Sequence, residues 1–542
     1  MFRMFADLIL FNGKIVTVDE RDTIAEAVAV KDGRIAAVGV NSEVLRIKGA
    51  ATDTIDLEGK TVVPGFIDSH CHMISTGLGN VAGNLDLSEE GGVHSIADLK
   101  SKIKELASKT PKGEWIVGVK EDDQKLSEKR HPTRWELDEA APEHPVIVST
   151  VGGHFSIVNS CALKLAGVDK NTPNPEGGVF DRNPLTGELT GGVHEKAREL
   201  FLPEGMFGKS LTRYEAATGA KKILEENAAA GLTCIYDMAG GAEIRSVLDL
   251  MNREELPIRV RIDVSIELFP ELNKLGIIQG IGNEWVKICG LKTFLDGAIS
   301  ARTAAVSEPY LNRKDFFGVF STTEEEAKSS ILEACGEGYR VSIHANGDKA
   351  IDLCLEIMEE VQKKYDRTNL RDRIIHCTVV NRRIVDRIKK LGMLPTIFGA
   401  YAYYHGDKLI PAFGEERLER MFAARWFLDA RIRVAAHSDH SASPFSPLMG
   451  IHSLVNRMSR TGKPVGASQR ITVMEALRLY TINAAYQSFD EDRLGSIEVG
   501  KLADMVVLGR DLLTEPAETI KDIPVDMTIV NGRIVFRRNS LS

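Results

Sequence analysis

The fold and the chemistry of this chain are decided by the stretch Val62-Val63-Pro64-Gly65-Phe66-Ile67-Asp68-Ser69-His70-Cys71-His72. Its apolar, partly β-branched residues predict a strand, and the strand ends in two histidines separated by one residue. Side chains alternate between the faces of a strand, so His70 and His72 point the same way while Cys71 turns away. Two imidazoles directed at one point form half of a zinc-type site, although this motif alone also fits a strand that ends in two surface histidines.

The bulk composition is that of an ordinary globular protein, with 43% hydrophobic and 27% charged residues among 542. The net charge of -9 and the pI near 5.9 argue against nucleic acid or an anionic membrane as partner. No apolar run approaches the ~18 residues of a membrane span, and the first residues lack a secretory signal pattern. Seven cysteines without a Cys-x-x-Cys motif favour a reducing compartment, so we expect a cytoplasmic protein.

Apolar strand patterns alternate with helical patterns through most of the chain, which is typical of a parallel α/β architecture. Eight strands can be assigned near residues 62–69, 232–236, 258–265, 286–295, 340–344, 373–377, 393–398 and 433–438. Eight is the number that a (β/α)8 barrel requires. We therefore predict a barrel domain over residues 62–487.

Two further strand patterns are surplus to the barrel, namely residues 114–119 and 145–151. We assign both to a large insertion after the first barrel strand, at about residues 77–205. A helical pattern from Thr212 to Ala230, ending at Gly231, resumes the barrel.

The two ends of the chain share one pattern. Leu8-Ile9-Leu10-Phe11-Asn12-Gly13-Lys14-Ile15-Val16 is echoed by Thr528-Ile529-Val530-Asn531-Gly532-Arg533-Ile534-Val535. An Asn-Gly pair between apolar runs predicts a hairpin, so we expect two similar hairpins. We predict that residues 1–61 and 488–542 together build one small β-sandwich domain.

Metal-ligating side chains occur at the ends of several predicted barrel strands. The C-terminal ends of barrel strands carry the active site in this fold. Besides His70 and His72, these positions hold His344, His376 and Asp439, and Lys292 lies within an apolar strand. Imidazoles mixed with a carboxylate suit Zn²⁺ or another divalent first-row metal.

These motifs resemble the amidohydrolase superfamily, the metal-dependent hydrolases built on a (β/α)8 barrel flanked by a small β-sandwich. Residues 64–72 are similar to its first-strand signature, and Gly500-Lys501-Leu502-Ala503-Asp504 to the motif that returns to the sandwich. Residues 159–163, 294–304 and 344–350 are similar to the branch that includes N-substituted formamide deformylases and members labelled "exoenzyme regulatory protein".

The resemblance implies two metal ions, most simply zinc. His70, His72 and Asp439 are implied for one ion, and His344 and His376 for the other, with a carboxylated Lys292 between them. Carboxylation needs a neutral amine, which burial in an apolar strand favours. Lys287, five residues earlier, is the alternative lysine but faces the opposite side of the strand.

Other readings of these residues stay open at this point. His376 can be a core histidine bonded to a backbone carbonyl, His344 can cap a helix, and Asp439 can cap the segment that follows it. His437 and His440 flank Asp439 and compete with it for the role of ligand.

The resemblance also implies a set of residues near the substrate. It places His154 of the insertion there as an oxyanion donor, the alternative being a loop histidine in a Gly-rich turn. It also places Glu195 facing the metals or the substrate, the alternative being a solvated glutamate. Asp296 and Arg302 flank the loop after Lys292, where they orient a substrate or pair to fix the loop. Residues 119–123, Val-Lys-Glu-Asp-Asp, depart from the Trp-Asp-Glu type phrase of related sequences and predict extra charge on the pocket wall.

The implied function is hydrolysis of a non-peptide, amide-type C–N bond of a small molecule by a metal-bridging hydroxide, with Asp439 moving the proton. An esterase or lactonase with the same binuclear site is the alternative within enzymes. A non-catalytic regulatory binding protein is the alternative from another class, although such a protein is expected to have lost ligands. The sequence does not fix the oligomeric state, and a homodimer is kept open.

Overall fold

The computed structural model describes residues 5–201 and 210–539. The predicted end of the insertion near residue 205 lies outside this part of the chain, as do the outermost residues of the predicted β-domain. None of the helices in the described ranges combines the length and the apolarity that crossing a membrane requires.

The central feature is an eight-stranded parallel barrel, as predicted. Its strands, numbered one to eight in chain order, are Phe66–Cys71, Leu232–Ala239, Arg259–Ser265, Val286–Phe294, Val341–Ala345, Arg373–His376, Leu394–Phe398 and Ala435–His437. Hydrogen bonds between the ends of strands one and eight close the barrel, among them Asp439 N–H to the His70 carbonyl at 3.0 Å. Closure brings the first and last functional segments of the sequence side by side.

The first barrel strand begins later than predicted. Residues Thr61–Pro64 form a separate strand that pairs with Met505–Leu508 in another sheet. Gly65 separates the two strands. A Cβ on this residue would lie 2.1 Å from the Thr233 hydroxyl oxygen. Only glycine permits this approach of strand one to strand two, and the chain changes sheets there.

Helices surround the barrel. Those between or after its strands are Met73–Ala82, Arg213–Ala229, Gly241–Asn252, Phe269–Leu275, Glu324–Gly336, Asp348–Lys364, Arg382–Leu391, Tyr401–Leu418, Ala424–Asp429, Pro447–Asn456, Val473–Leu479 and Ile482–Gln487. The helix predicted from Thr212 to Ala230 is confirmed, with the Thr212 side chain capping its first turn.

The surplus strands lie in a six-stranded mixed sheet separate from the barrel sheet. Its strands are Leu85–Asp86, Ile116–Glu121, Val146–Thr150, Phe155–Val158, Gly178–Arg182 and Leu189–Glu195, and its helices are Ile96–Ala107, Arg134–Ala140 and Ser160–Leu165. The preceding helix extends to Ala82, so this sheet starts a few residues after the predicted boundary at 77.

Two sheets near the termini share one apolar cluster and so form a sandwich. The first contains Leu8–Phe11, Ala27–Lys31, Arg34–Gly39 and Asp53–Asp56, and the second contains Lys14–Val16, Ile24–Ala25, Thr61–Pro64, Met505–Leu508, Val525–Val530 and Arg533–Arg537. The division of the chain at residues 61 and 487 stays a prediction.

The prediction of two similar terminal hairpins is wrong at the N-terminus. Strands Val525–Val530 and Arg533–Arg537 pair as a hairpin, but Leu8–Phe11 and Lys14–Val16 belong to different sheets. Gly13 N–H donates to the Glu26 carbonyl, so the Asn12-Gly13 corner passes the chain between the layers of the sandwich.

Candidate metal centre

The first half of the site consists of His70, His72 and Asp439, which meet where strands one and eight end. The Nε2 atoms of both histidines lie 3.4 Å from Asp439 Oδ1, and one ligand atom from each residue fits within 4.8 Å of the others. Two ligands bound to one tetrahedral zinc ion at ~2.0–2.1 Å are separated by about 3.4 Å. The three side chains therefore have the spacing of a metal site.

Asp68 explains why these residues meet. Its buried carboxylate accepts the backbone N–H of His70 at 3.2 Å and that of Ser438 at 3.1 Å, which ties strand one to strand eight. Cys71 turns away toward the Tyr236 carbonyl, as the alternation of the strand predicts. His72 lies one residue beyond strand one, at the start of helix Met73–Ala82, yet it faces the same point as His70.

The second half of the site consists of His344 at the end of strand five and His376 at the end of strand six. His376 Nε2 and His344 Nδ1 lie 3.1 Å apart, close to the separation of two imidazole ligands on one metal. Both rings are buried, and burial lowers the pKa of each well below 6.5. Both are therefore neutral, which is the form that binds metals.

Lys292 on strand four is fully buried, and its Nζ has no hydrogen-bond partner among the described residues. Burial lowers its pKa from 10.5 to about 7, against the opposing charges of Asp439 and Asp263. Lys287, the alternative lysine, instead binds the Ser488 carbonyl and the Asp490 carboxylate at 2.6 and 2.7 Å. Lys292 is therefore the lysine of this strand that is available for carboxylation.

Some of the nitrogen atoms at this site have no hydrogen-bond partner among the described residues. Both ring nitrogens of His70 are buried without a hydrogen-bond partner in the described part of the chain, as is Lys292 Nζ. Burying polar groups without partners costs free energy, and a cation bound by His70 would recover part of that cost. We take this set of unsatisfied donors as the structural sign of a metal centre.

The two competitors of Asp439 differ in position. His440 points its Nδ1 at the Ser443 carbonyl, 3.2 Å away. His437 reaches the centre, where its Nε2 lies 3.3 Å from His376 Nδ1 and burial lowers its pKa to about 3. The sequence suggested His437 only as an alternative ligand to Asp439, whereas in the structure its ring lies next to His376 of the second histidine pair.

The insertion contributes His154 and Glu195 at the edge of this centre. Their side chains are joined by a 2.7 Å contact between His154 Nδ1 and Glu195 Oε2, and Thr303 donates a hydrogen bond to Glu195 Oε1 at 3.1 Å. The His154 and His344 ring centroids are 5.1 Å apart. Burial raises the pKa of Glu195, but the charge and the hydrogen bond of His154 outweigh it, and the net shift is downward.

Asp296 and Arg302 do not lie together. Asp296 is fully buried and accepts three backbone N–H groups, from Ala305, Asn346 and Gly347, each at 2.9 Å. It therefore fixes the loops after strands four and five, and its Oδ1 lies 3.5 Å from His344 Nε2. Arg302 faces Asp123 of the insertion instead, at 3.8 Å.

One buried ion pair beneath the centre is not marked by any sequence motif. Arg373 on strand six pairs with Asp263 on strand three and donates a hydrogen bond to the Ser69 carbonyl on strand one at 2.9 Å. The pair spans the barrel interior next to Lys292. Both residues lie within strand patterns that sequence alone assigns to apolar packing, so no motif marked them.

A protein-family model described as "Amidohydrolase family" matches residues 53–536. An N-substituted formamide deformylase from Arthrobacter pascens is 29% identical over 98% of both chains. The exoenzymes regulatory protein AepA of Pectobacterium carotovorum is 28% identical over 65% of this chain and 76% of its own. The crystal structure of an uncharacterized metal-dependent hydrolase from Pyrococcus horikoshii superposes with a TM-score of 0.74 and 26% identity, covering 94% of this chain and 99% of that one.

Proposed function

Because this chain belongs to the amidohydrolase family and is a hydrolase of carbon–nitrogen bonds, we propose that it cleaves a non-peptide amide of a small molecule at a two-metal centre. One observation carries the proposal above all others. His70, His72 and Asp439 have metal-ligand spacing at the C-terminal face of the barrel, and the buried amine of Lys292 has no hydrogen-bond partner among the described residues. The similarity to a formamide deformylase makes N-substituted formamides the first substrates to test.

The proposed ligands divide into two sets. His70, His72 and Asp439 would hold one divalent ion and His344 and His376 the other, with Lys292 carboxylated between them. Nitrogen and oxygen ligands of this kind favour zinc. The lowered pKa of Lys292, about 7, supports carboxylation because the neutral amine is then present near neutral pH.

A divalent metal ion in such a site lowers the pKa of water toward ~7 and polarises a carbonyl group. Asp439 then moves the proton. Burial raises the pKa of this carboxyl, but the hydrogen bond and charge of His72 outweigh burial, and the net shift is downward. Both neighbouring histidines face Oδ1, so Oδ2 is left to accept the proton and deliver it to the departing nitrogen.

His154 and Glu195 are proposed to act on the substrate carbonyl. Glu195 accepts at His154 Nδ1, which fixes a proton on that atom and keeps the ring facing His344. We propose that an N–H at Nε2 of the same ring stabilises negative charge on the carbonyl oxygen as the bond breaks.

The test is a hydrolysis screen of purified protein reconstituted with zinc and bicarbonate. The panel contains N-substituted formamides, other N-acyl amines, cyclic ureas and lactones. Release of an amine that is lost on chelation and restored by zinc supports the proposal. Lactone hydrolysis without amide hydrolysis would favour the esterase alternative, since leaving groups are selected by loops rather than by the metal ligands.

Lys292→Ala serves as the matched variant in the same screen. We expect it to retain less metal than the wild type and to lose most of its activity. A variant with unchanged metal content and activity would contradict the two-metal centre.

A further inference from the structure

A cavity of about 400 Å³ lies between the insertion and the loop after strand four, and the metal centre leaves it unexplained. Its lining is strongly charged. The residues that matter here are Glu121, Asp122, Asp123, Asp181, Arg302 and Arg313. Three of these, Glu121, Asp122 and Asp123, lie in the segment 119–123, for which the sequence predicted extra charge on the pocket wall.

Two residues that line the cavity are close in the chain to residues at the edge of the metal centre. Gly152 lines it, two residues before His154, whose ring lies 5.1 Å from that of His344. Arg302 lines it too and precedes Thr303, which donates to Glu195. A substrate held at the centre can therefore extend its distal part into this space.

The carboxylates of the cavity already have cationic or imidazole partners. The pairs are Glu121 with His131 at 2.9 Å, Asp122 with Lys408 at 2.7 Å, Asp123 with Lys408 at 3.0 Å, and Asp181 with His194 at 3.0 Å. Each of these carboxylates therefore already has a contact inside the protein, which a cationic ligand would have to displace.

The two arginines are in the opposite situation. Arg302 Nε is buried without a hydrogen-bond partner in the described ranges, and its nearest carboxylate, Asp123, lies 3.8 Å from Nη2, beyond hydrogen-bond range. The Arg313 guanidinium lies over the Phe316 ring at 3.8 Å, and no hydrogen bond or ion pair of its side chain occurs among the described residues. Burial and the charge of Arg302 lower the pKa of Arg313, against the opposing charge of Asp181.

We propose that this cavity binds a carboxylate on the nitrogen-side substituent of the substrate, with Arg302 and Arg313 as the groups that recognise it. An anion bound beside the two guanidiniums would satisfy N–H donors that lack hydrogen-bond partners, and the planar fork of arginine matches a carboxylate. The inference rests on the proposed amide hydrolysis and narrows its substrates to N-acyl amines that carry a carboxylate, such as N-formyl amino acids.

The test uses pairs of compounds that differ only in charge. N-formyl-β-alanine, N-formyl-γ-aminobutyrate and N-formyl-ε-aminocaproate cover a range of spans, and each is compared with its neutral primary amide on zinc-loaded enzyme. We expect kcat/KM for the best-fitting carboxylate to exceed that for its amide by about 10- to 100-fold. The mono-N-formyl diamine of the same length is the cationic comparison and is expected to be the poorest of the three.

The variants are Arg302→Gln and Arg313→Gln, with Arg425→Gln as the matched control. Arg425 pairs with Glu475 and does not line the cavity. Each cavity variant is expected to lower the ratio of carboxylate to amide activity by about tenfold or more, whereas the control keeps the wild-type ratio. A wild-type ratio near one, a preference for the cationic compound, or a ratio unchanged in both cavity variants would overturn the proposal.

Calorimetric binding of the same compounds separates this inference from the proposed function. If none of them is hydrolysed but the carboxylates bind more tightly than the amides in an arginine-dependent way, amide hydrolysis fails and the anion site stands. If they are hydrolysed without a charge preference, the function stands and the anion site fails. Thermal melting of each variant verifies that it is folded.

Discussion

Replacing Lys292 by methionine in the metal-free protein tests whether burying the lysine amine lowers the stability of the fold. The amine is fully buried and has no hydrogen-bond partner among the described residues. Methionine fills a similar volume without a polar group, so it removes the cost of burying the amine. We expect the metal-free variant to be more stable than the metal-free wild type, although it loses the centre's function.

The magnitude follows from the pKa of Lys292, which burial lowers from 10.5 to about 7. Between these values the unfolded chain binds more protons than the folded chain, so this group makes stability rise with pH across the window. At pH 7 the penalty amounts to ~4 kcal/mol, and it vanishes as the pH approaches 10.5. Relaxation around the amine reduces the expected gain of Lys292→Met at pH 7 to about 2–4 kcal/mol, or a rise in Tm of about 2–4 °C for a chain of this length.

The assay is thermal unfolding of chelated, bicarbonate-free protein between pH 7 and 9, for the wild type and the variant side by side. Lys287→Met is the matched control on the same strand. It removes a partner of the buried Asp490 and is expected to lower stability by about 1–3 kcal/mol. A Lys292→Met protein that is less stable than the wild type, or whose advantage does not shrink as the pH rises, would refute the reasoning.

Three further results are expected. Asp439→Asn should lower kcat by about 10²–10⁴-fold because the proton acceptor is lost, and single-turnover kinetics with metal analysis distinguishes this from loss of the ion. Glu195→Gln should lower kcat by about tenfold or more, and adding His154→Gln should cost little further, because a double-mutant cycle of residues that act as a unit is not additive. Lys408→Met should destabilise the protein by about 3–5 kcal/mol near neutral pH by leaving Asp122 buried without its cation. Since the pKa of Asp122 is lowered on folding, the stabilisation that it gives is present above pH 3.8 and is lost as the pH falls further, so denaturant midpoints of this variant and the wild type should converge in acid.

The barrel could be predicted because its strands are short apolar runs separated by helical patterns, and parallel strands buried on both faces keep that signature. The boundary of the first strand was missed because it depends on Gly65, where the close approach of Thr233 makes the chain change sheets. The N-terminal hairpin was missed for a related reason. An Asn-Gly corner fixes a tight turn, but which sheet each flanking strand joins depends on partners far away in the sequence.

The candidate ligands whose identity depends only on their position along a strand could be predicted from the sequence. His70, His344 and His376 lie at strand ends, and alternation separates Lys292 from Lys287. The contact of His437 with His376 could not be predicted, since it depends on how strands six and eight are packed. Arg313 carries no motif, and its place in the cavity depends on how the loop after strand four packs against the insertion.

The most direct test of the central claim is a crystal structure of the protein loaded with zinc in the presence of bicarbonate. We expect two metal peaks, one among His70, His72 and Asp439 and the other beside His344 and His376. Extra density on Lys292 Nζ should join them. A zinc-loaded crystal with no peak among these side chains, or with Lys292 unmodified and away from the metal, would contradict the proposed centre.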